Sequence, residues 1–287
     1  MLTHIPYLGN TQMLISISPM HINMKQHLRW LYNLALAFGY DPKRMLNAFR
    51  GLPAYLAELA TITAELDSSE RKFAFGNLYP CLDDRFADSG VAKGHYFYQD
   101  WLVANRIFKN NPEIHVDVGS RVDGFVAHVA AFRTIHVLDI RPLSTNVPNI
   151  KYLQADLMSS LDDDLVECCD SLSCLHALEH FGLGRYGDAI RYDGYIVGLN
   201  NLYRLLKRTG KFYFSVPIGP QRIEFNAHRI FSLEHLLQLF EGRFKIDEFS
   251  YIDDMGNLQM NVVLSAEGIS NNFNCTYGCC IFEMTKI

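Results

Sequence analysis

Residues that could carry chemistry concentrate between residues 176 and 188 of this chain of 287 residues. His176 and His180 flank Glu179, and a histidine beside a carboxylate suits general acid–base catalysis near neutral pH. His180 is the first candidate for a general base, ahead of His176, His228 and Glu179. The candidate substrate-binding side chains, which could contact hydroxyl or phosphate groups, are Arg185, Tyr186, Asp188 and Arg229.

Residues 176–180 also match His-x-x-Glu-His, the pattern by which inverted zinc peptidases bind zinc through two histidines of one helix. Glu241 or Glu248 could supply a further ligand. A long helix has to carry this motif, whereas here it follows a predicted strand and is cut short by a glycine-rich loop. The sequence therefore predicts no metal site, and a zinc hydrolase remains the weaker alternative.

Short apolar segments precede these polar residues and must position them. Residues 114–118, 135–139, 150–154 and 170–175 are runs typical of buried parallel strands that alternate with helices. In an open α/β sheet, ligands bind outside the carboxyl ends of the strands. The candidate residues at or just beyond these strand ends are Asp117, Gly119, Ser120, Arg121, Gly124, Asp139, Asp156 and Leu175.

The full pattern predicts a Rossmann-like, doubly wound α/β sheet that is mostly parallel and ends in an antiparallel hairpin. We expect helices over 125–132 and from 192 to Gly210, a fifth strand at 211–216, and a hairpin of strands at 244–251 and 277–284. Residues 1–94 form a predicted helical extension, interrupted at Pro53, and residues 95–287 form the α/β domain. The extension could cover a substrate site, pack on the sheet or form a homodimer interface.

Composition narrows the class of protein. The net charge of −5 gives no general attraction to nucleic acid or acidic membranes, and no apolar run is long enough to span a bilayer. The N-terminus lacks the features of a signal peptide. Seven cysteines without a Cys-x-x-Cys pair indicate reduced thiols and a cytoplasmic protein, although Cys275, Cys279 and Cys280 could offer thiolates to a metal.

The order of the elements resembles the class I S-adenosylmethionine-dependent methyltransferases over roughly residues 95–287. Leu178-Glu179-His180 and the later 228–232 segment, His-Arg-Ile-Phe-Ser, are similar to motifs of the branch that acts on small molecules. More narrowly, four segments look like an uncharacterised, methyltransferase-like family, domain of unknown function 268, some members of which are tied to surface-polysaccharide or glycan genes. These segments are residues 116–128, 138–142, 173–188 and 225–231.

The resemblance implies that S-adenosylmethionine is the cofactor. Asp117 would orient its amino-acid end, Gly119 would let the backbone come close, and the helix near Gly124 would point its positive end at the carboxylate. Asp139 would bind the ribose hydroxyls, and Asp156 would accept from the adenine amino group. The implied cofactor site also includes Ser120, Arg121 and Leu175.

The glycine turn departs from the usual Gly-x-Gly-x-Gly pattern of the resembling proteins. Arg121 and Asp123 stand where small residues are expected, so Arg121 could pair with the cofactor's carboxylate or fill the pocket. We predict methyl transfer to a small-molecule or carbohydrate-like acceptor. The alternative from another class is a protein that kept the fold and the binding site but does not transfer.

Overall fold

A computed structural model of the chain describes residues 24–68, 73, 75–144 and 146–287. The chain divides into two compact units after Gly90. Within the described residues, no helix combines the length and the hydropathy needed to cross a membrane. The sequence-based boundary after residue 94, between a helical extension and an α/β domain, remains a prediction.

Two helices, α1 (Met24–Ala37) and α2 (Pro42–Ser68), form most of the described part of the first unit. Asp41 caps α2, because its Oδ1 accepts hydrogen bonds from the backbone N–H groups of Lys43 and Arg44 at 3.0 and 3.1 Å. The predicted interruption at Pro53 is wrong, since α2 continues through it. A proline removes one hydrogen bond, and the helix-forming segments on both sides tolerate that loss.

The second unit contains five helices and ten strands in its described residues. The helices are α3 (His95–Asn110), α4 (Ala127–Ala130), α5 (Gly194–Leu205), α6 (Leu233–Phe240) and α7 (Ala266–Ser270). The strands are β1 (His115–Val118), β2 (Ile135–Asp139), β3 (Ile150–Gln154), β4 (Cys169–Leu175), β5 (Leu206–Ile218), β6 (Arg222–Glu224), β7 (His228–Ile230), β8 (Phe244–Ile252), β9 (Leu258–Gln259) and β10 (Gly278–Lys286).

Eight of these strands form one sheet in the order β3-β2-β1-β4-β5-β10-β8-β9, and β6 and β7 form a separate hairpin. Strands β1 to β5 run parallel, whereas β10 lies antiparallel between β5 and β8. The strand order reverses direction between β1 and β4, which is the switch point where open α/β sheets bind ligands. The predicted Rossmann-like sheet with an antiparallel C-terminal pair is therefore confirmed.

The sheet is covered by apolar helices on both faces. Helices α3 and α4 pack on one face through residues such as Val103, Ile107 and Val129, and this cluster includes Cys279 of β10. The opposite face packs on α5 and α6 and includes Cys280, because neighbouring residues of a strand point to opposite sides. Burial on both faces explains why the strands read as nearly continuous apolar runs.

Two local predictions are wrong. The segment predicted as one helix over 125–132 is instead a turn at Val122–Val126, kinked by non-helical backbone at Gly124, that leads into the short α4. The helix predicted to end at Gly210 ends at Leu205, and β5 begins at once. Cys169 pairs with Leu206 and Ser171 with Lys211, so residues 207–210 bulge out of the strand instead of continuing the helix.

Candidate active site

Two cavities adjoin at the carboxyl ends of β1, β2 and β4. The smaller, the strand pocket, has about 530 Å³ of space and apolar walls formed by Leu138, Ile140, Ala155, Leu157, Met158 and Phe181. The larger, the helix pocket, has about 1250 Å³ and polar walls that include Tyr96, Gln99, Asp100, Ser120, Gly124 and Arg185. Shared by both cavities are Gly119, Arg141, His176, His180 and Tyr186.

Asp117 stabilises the turn that follows β1 and borders the helix pocket. Its carboxylate accepts from the Ser120 backbone N–H at 3.1 Å and from the hydroxyls of Ser120 and Ser173 at 2.9 and 2.5 Å. Complete burial raises the pKa of Asp117 to about 7, against the lowering effect of these hydrogen bonds. Asp117 lines neither cavity, so it positions the turn and does not face a ligand.

Two glycines of this turn leave room where a side chain would not fit. Gly119 has φ of +80°, and a Cβ atom there would lie 2.7 Å from the Cβ of Ala177. A Cβ on Gly124 would lie 3.3 Å from Oδ2 of Asp100. Because Gly119 lines both cavities, the exposed backbone of this turn is accessible to a ligand that reaches from one cavity to the other.

Arg121 does not fill the helix pocket. Its side chain is 71% exposed and binds Asp123 through two hydrogen bonds, Nε to Oδ1 at 2.9 Å and Nη2 to Oδ2 at 2.6 Å. Asp123 is equally exposed, so the pair lies at the rim. Replacement of the usual glycines by Arg121 and Asp123 therefore adds charged groups at the rim of the helix pocket and leaves the interior of that pocket open.

Asp139, at the end of β2, is buried, lines the strand pocket and is already paired with Arg141. Its Oδ1 accepts from the backbone N–H and Nε of Arg141, both at 2.9 Å, and Nη2 of Arg141 also contacts the carbonyl of Gly119 at 3.3 Å. Asp156, beyond β3, lines the strand pocket and accepts from the Met158 backbone N–H at 2.8 Å. Both acids thus lie where the strand-end pattern predicts.

Tyr186 forms the outer wall shared by the cavities and lies against two guanidinium groups. The guanidinium carbons of Arg141 and Arg185 lie 4.6 and 5.2 Å from its ring centroid. Its ring also meets that of His180 edge to face at 5.5 Å. The rim is therefore an arginine–tyrosine–arginine stack, with the hydroxyl of a partly exposed tyrosine available to a ligand.

His180 has a defined tautomer. Its Nδ1 lies 2.7 Å from the carbonyl oxygen of Ala227, to which it can only donate, and Nη1 of Arg185 donates to the same oxygen at 3.0 Å. Nε2 is thereby left with a free lone pair in a residue that lines both cavities. Burial lowers the pKa of His180, which keeps the ring neutral at physiological pH.

His176 and Glu179 form a buried pair beside His180. Nδ1 of His176 lies 2.7 Å from Oε1 of Glu179, and both side chains are at least 96% buried. Burial acts to raise the pKa of the Glu179 carboxyl. The combined effect of His176 and His180 is larger, so the pKa lies below its ordinary value. Nε2 of His176 and Oε2 of Glu179 have no hydrogen-bond partner among the described residues.

The inverted zinc-peptidase interpretation is wrong in its geometry. His176 has a left-handed backbone with φ of +49°, and only a three-residue turn, Leu178–His180, follows it. The two histidines therefore do not share a helix face, and Nδ1 of His180 is occupied by a backbone carbonyl. Neither predicted extra ligand lies nearby in structure, since Glu241 follows α6 and Glu248 pairs with Arg106.

Three other predicted site residues lie behind the cavity walls or hold the loop. The buried Arg229 donates to the carbonyl oxygens of Phe181 and Tyr192 at 2.6 and 3.0 Å and lines neither cavity, so it supports the loop and cannot contact a ligand as predicted. His228 lies next to His180, with ring centroids 6.4 Å apart, but also outside both cavities. Asp188 lines the strand pocket and accepts from the loop N–H groups of Gly182 and Gly184.

Several cavity residues were missed by sequence reasoning. Tyr96, Gln99 and Asp100 come from α3, and Arg141 follows β2 by two residues. The sequence did contain a signal for the cavity residues of α3, because Gln99 and Asp100 are polar residues on the buried side of an amphipathic helix. Burial raises the pKa of Asp100 to about 6, although a hydrogen bond from Gln99 partly opposes this.

Comparison with known families gives one match, to the model described as "Caenorhabditis protein of unknown function, DUF268", over residues 150–276. The similarity inferred from the sequence is confirmed over that segment, which includes β3 to α7 and the loop with His176, Glu179 and His180. No curated protein matches the chain. The strand order of the sheet is that of a Rossmann-like fold with an antiparallel strand inserted near one edge.

Solved structures with a similar fold include two methyltransferases and a cyclase, all at low identity. A 1,6-didemethyltoxoflavin-N1-methyltransferase from Burkholderia thailandensis, with bound S-adenosylhomocysteine, is 15% identical over 66% of this chain and 78% of its own, with a TM-score of 0.46. The N-methyltransferase NodS from Bradyrhizobium japonicum is 10% identical over 67% and 88%, with a TM-score of 0.44. The [4+2]-cyclase SpnF is 13% identical over 66% and 80%, with a TM-score of 0.47.

Proposed function

We propose that this chain binds S-adenosylmethionine and transfers its methyl group to a small-molecule or carbohydrate-like acceptor. One observation carries the proposal: an apolar pocket and a larger polar pocket adjoin at the switch point of the sheet, around the exposed backbone of Gly119. This is where an α/β sheet of this topology binds a nucleoside-containing ligand. His180, the proposed general base, lines both cavities at this junction.

The residues present fit this cofactor. The apolar walls of the strand pocket suit the flat face of adenine, and the buried carboxylate of Asp139 at the end of β2 suits the two ribose hydroxyls. In the helix pocket, the buried carboxylate of Asp100 suits the ammonium of the methionyl end. Gly119 supports the fit independently, because a side chain there would meet Ala177.

When bound, the cofactor supplies an electrophilic methyl carbon on a sulfonium. Asp139 and Asp156 would hold its nucleoside end, and Ser120 and Gly124 lie along the turn that would receive its amino-acid end. Leu175, at the end of β4, lines the helix pocket, and its apolar side chain excludes water from that wall of the pocket. The contribution of these residues is alignment of the reacting atoms in a partly dry site.

His180 accepts the proton of the acceptor. Its Nδ1–H donates to Ala227, which fixes the ring and leaves Nε2 to take a proton from an acceptor hydroxyl or amine. Arg185 donates to the same carbonyl and holds the rim beside Tyr186, so these two residues would orient the acceptor. Polar groups at the rim favour a hydroxyl-rich acceptor, in keeping with a role in glycan synthesis within the cytoplasm.

Calorimetric titration with S-adenosylhomocysteine tests the cofactor site. We expect micromolar binding to the unaltered protein and at least about tenfold weaker binding to Asp139→Ala, because a charge-assisted hydrogen bond contributes about 1.5–3 kcal/mol. Asp164→Ala is the matched control, since Asp164 is exposed and lines neither cavity. Absence of binding to the unaltered protein, or equal loss in both variants, would contradict the proposal.

A further inference from the structure

Next to the helix pocket, where His176 forms part of the wall, three side chains that no part of the proposed reaction uses come together. We propose that His95, His176 and Cys279 bind one Zn²⁺ ion. The ligand atoms of these residues lie within 4.8 Å of one another, although they come from α3, the end of β4 and β10. Metal binding here does not depend on the proposed methyl transfer.

The lone pair of His176 is the strongest observation for this site. Nδ1 of His176 donates to Glu179, so Nε2 is the nitrogen with the lone pair, and it is buried without a hydrogen-bond partner among the described residues. The side chain is only 4% exposed. Buried polar atoms are normally satisfied, and one left without a partner needs an explanation. A metal ion supplies the missing partner.

Glu179 occupies the position of a supporting residue for a metal-bound histidine. Ligating histidines usually donate their second ring N–H to a carboxylate, which fixes the ring and makes the ligand more basic. The carboxylate of Glu179 is itself buried and has one unpartnered oxygen, and among the described residues no basic side chain except His176 and His180 lies within 4 Å of it. A cation next to His176 would compensate this buried negative charge.

His95 and Cys279 complete the ligand set with suitable geometry. The rings of His95 and His176 are nearly parallel, at 12°, with centroids 5.2 Å apart, and a ligand atom of each lies within 4.8 Å of the Cys279 sulfur. The His95 ring donates a hydrogen bond to the backbone carbonyl of Tyr277, which holds the ring, and Cys279 is completely buried on the same face of β10 as α3.

The donor set determines the class of metal. One thiolate and two imidazoles favour a borderline-soft ion such as Zn²⁺ and disfavour Mg²⁺ or Ca²⁺, which prefer oxygen ligands. Three protein ligands leave one tetrahedral position free. An open fourth position is typical of catalytic rather than structural zinc.

The test is titration of the chelator-stripped full chain with Zn²⁺ against a chromophoric chelator, and with Co²⁺ as a spectroscopic probe. We expect one ion per chain and a sulfur-to-cobalt charge-transfer band. His95→Ala should weaken Zn²⁺ binding at least about tenfold, and since His95 is only partly buried at the start of α3, this variant should keep the fold. Cys279→Ser should abolish the charge-transfer band.

Cys280→Ser is the matched control, because Cys280 is equally buried in the same strand but faces the opposite core. It should retain both the affinity for Zn²⁺ and the charge-transfer band. No stoichiometric binding to the unaltered chain, or binding that His95→Ala and Cys279→Ser leave equal to that of Cys280→Ser, would overturn the proposal. Failure of this test would leave binding of S-adenosylhomocysteine unaffected, so the two proposals fail separately.

Discussion

The two sides of the crevice differ in how their polar groups are satisfied. On the side of β2 and β3, the carboxylates of Asp139 and Asp156 are each bound by residues two or three positions further along the chain. On the side of α3, β4 and β10, the groups around His176 come from distant parts of the chain, and two buried polar atoms have no partner in the described residues.

This difference separates a preformed binding surface from a reactive centre. Locally satisfied carboxylates are held in place whether or not a ligand is present, which lowers the cost of ordering them on binding. Unpartnered buried atoms destabilise the fold by about 1–3 kcal/mol each, and they are expected where a ligand or ion completes the arrangement. We therefore propose that the first side recognises the nucleoside end of the cofactor and that the second side carries the proton or metal chemistry.

The largest effect we expect concerns Asp117, which lies between the two sides. Its folded pKa of about 7 is above its ordinary value of 3.8, so its contribution to stability is fully present below pH 4 and is lost as the pH rises to 7. The free energy of unfolding of the unaltered protein should fall by a few kcal/mol over this range through this group. Urea denaturation from pH 4 to 8 measures it.

Asp117→Asn removes the titrating group and should flatten that part of the pH dependence. The comparison rests on the slope with pH, because the asparagine also changes the hydrogen bond to the Ser120 N–H and shifts the absolute stability. An identical slope in both proteins would mean that Asp117 is ionised in the folded state, and that the turn is held by a full charge.

A smaller effect is expected for Asp100 in the helix pocket. Its pKa of about 6 means that it gains its charge between pH 5 and 7, and the ionised form should bind the ammonium of S-adenosylhomocysteine. Affinity should therefore rise about tenfold over this interval, as the ionised fraction does. Asp100→Asn should abolish the rise in calorimetric titrations. If the rise in affinity persists in the variant, the ammonium does not bind next to α3.

The smallest effect is expected for Arg141, and it tests whether the first side is preformed. The arginine competes with a ribose for Asp139 but also lies against Tyr186, so Arg141→Ala removes a competitor and a support together. We expect the dissociation constant of S-adenosylhomocysteine to change by no more than about threefold, since the lost support of Tyr186 offsets the lost competition for the buried Asp139. A loss of 30-fold or more would make Arg141 itself a ligand-binding residue.

The same contrast explains how much could be predicted from the sequence. The strands, the turn after Asp117 and the acid at Asp139 were predictable, because apolar runs and the residues that end them are local features. Arg121 was ambiguous from sequence, since only the structure reveals that it pairs with Asp123 at the rim. His180 was predictable as a base, but the hydrogen bond to Ala227 that fixes its tautomer joins residues far apart in the chain.

Long-range assembly is also why the site around His176 was not predicted. His95 and Cys279 are separated by more than half the chain, and no spacing rule connects them. Arg229 was misassigned for a related reason, because a buried arginine whose donors bind carbonyls of a neighbouring loop looks in sequence like any charged residue near a strand end.

The central claim is that the junction of the two pockets transfers a methyl group with His180 as the base. The most direct measurement follows tritium from S-adenosyl-[methyl-³H]methionine into small-molecule extracts and a sugar panel, for the unaltered protein, His180→Ala and the control His136→Ala, whose residue lies outside both cavities. We predict a labelled product that falls about 10²–10⁴-fold in His180→Ala, with unchanged affinity for S-adenosylhomocysteine. Tight cofactor binding without any labelled product, or equal turnover in the two variants, would contradict the claim.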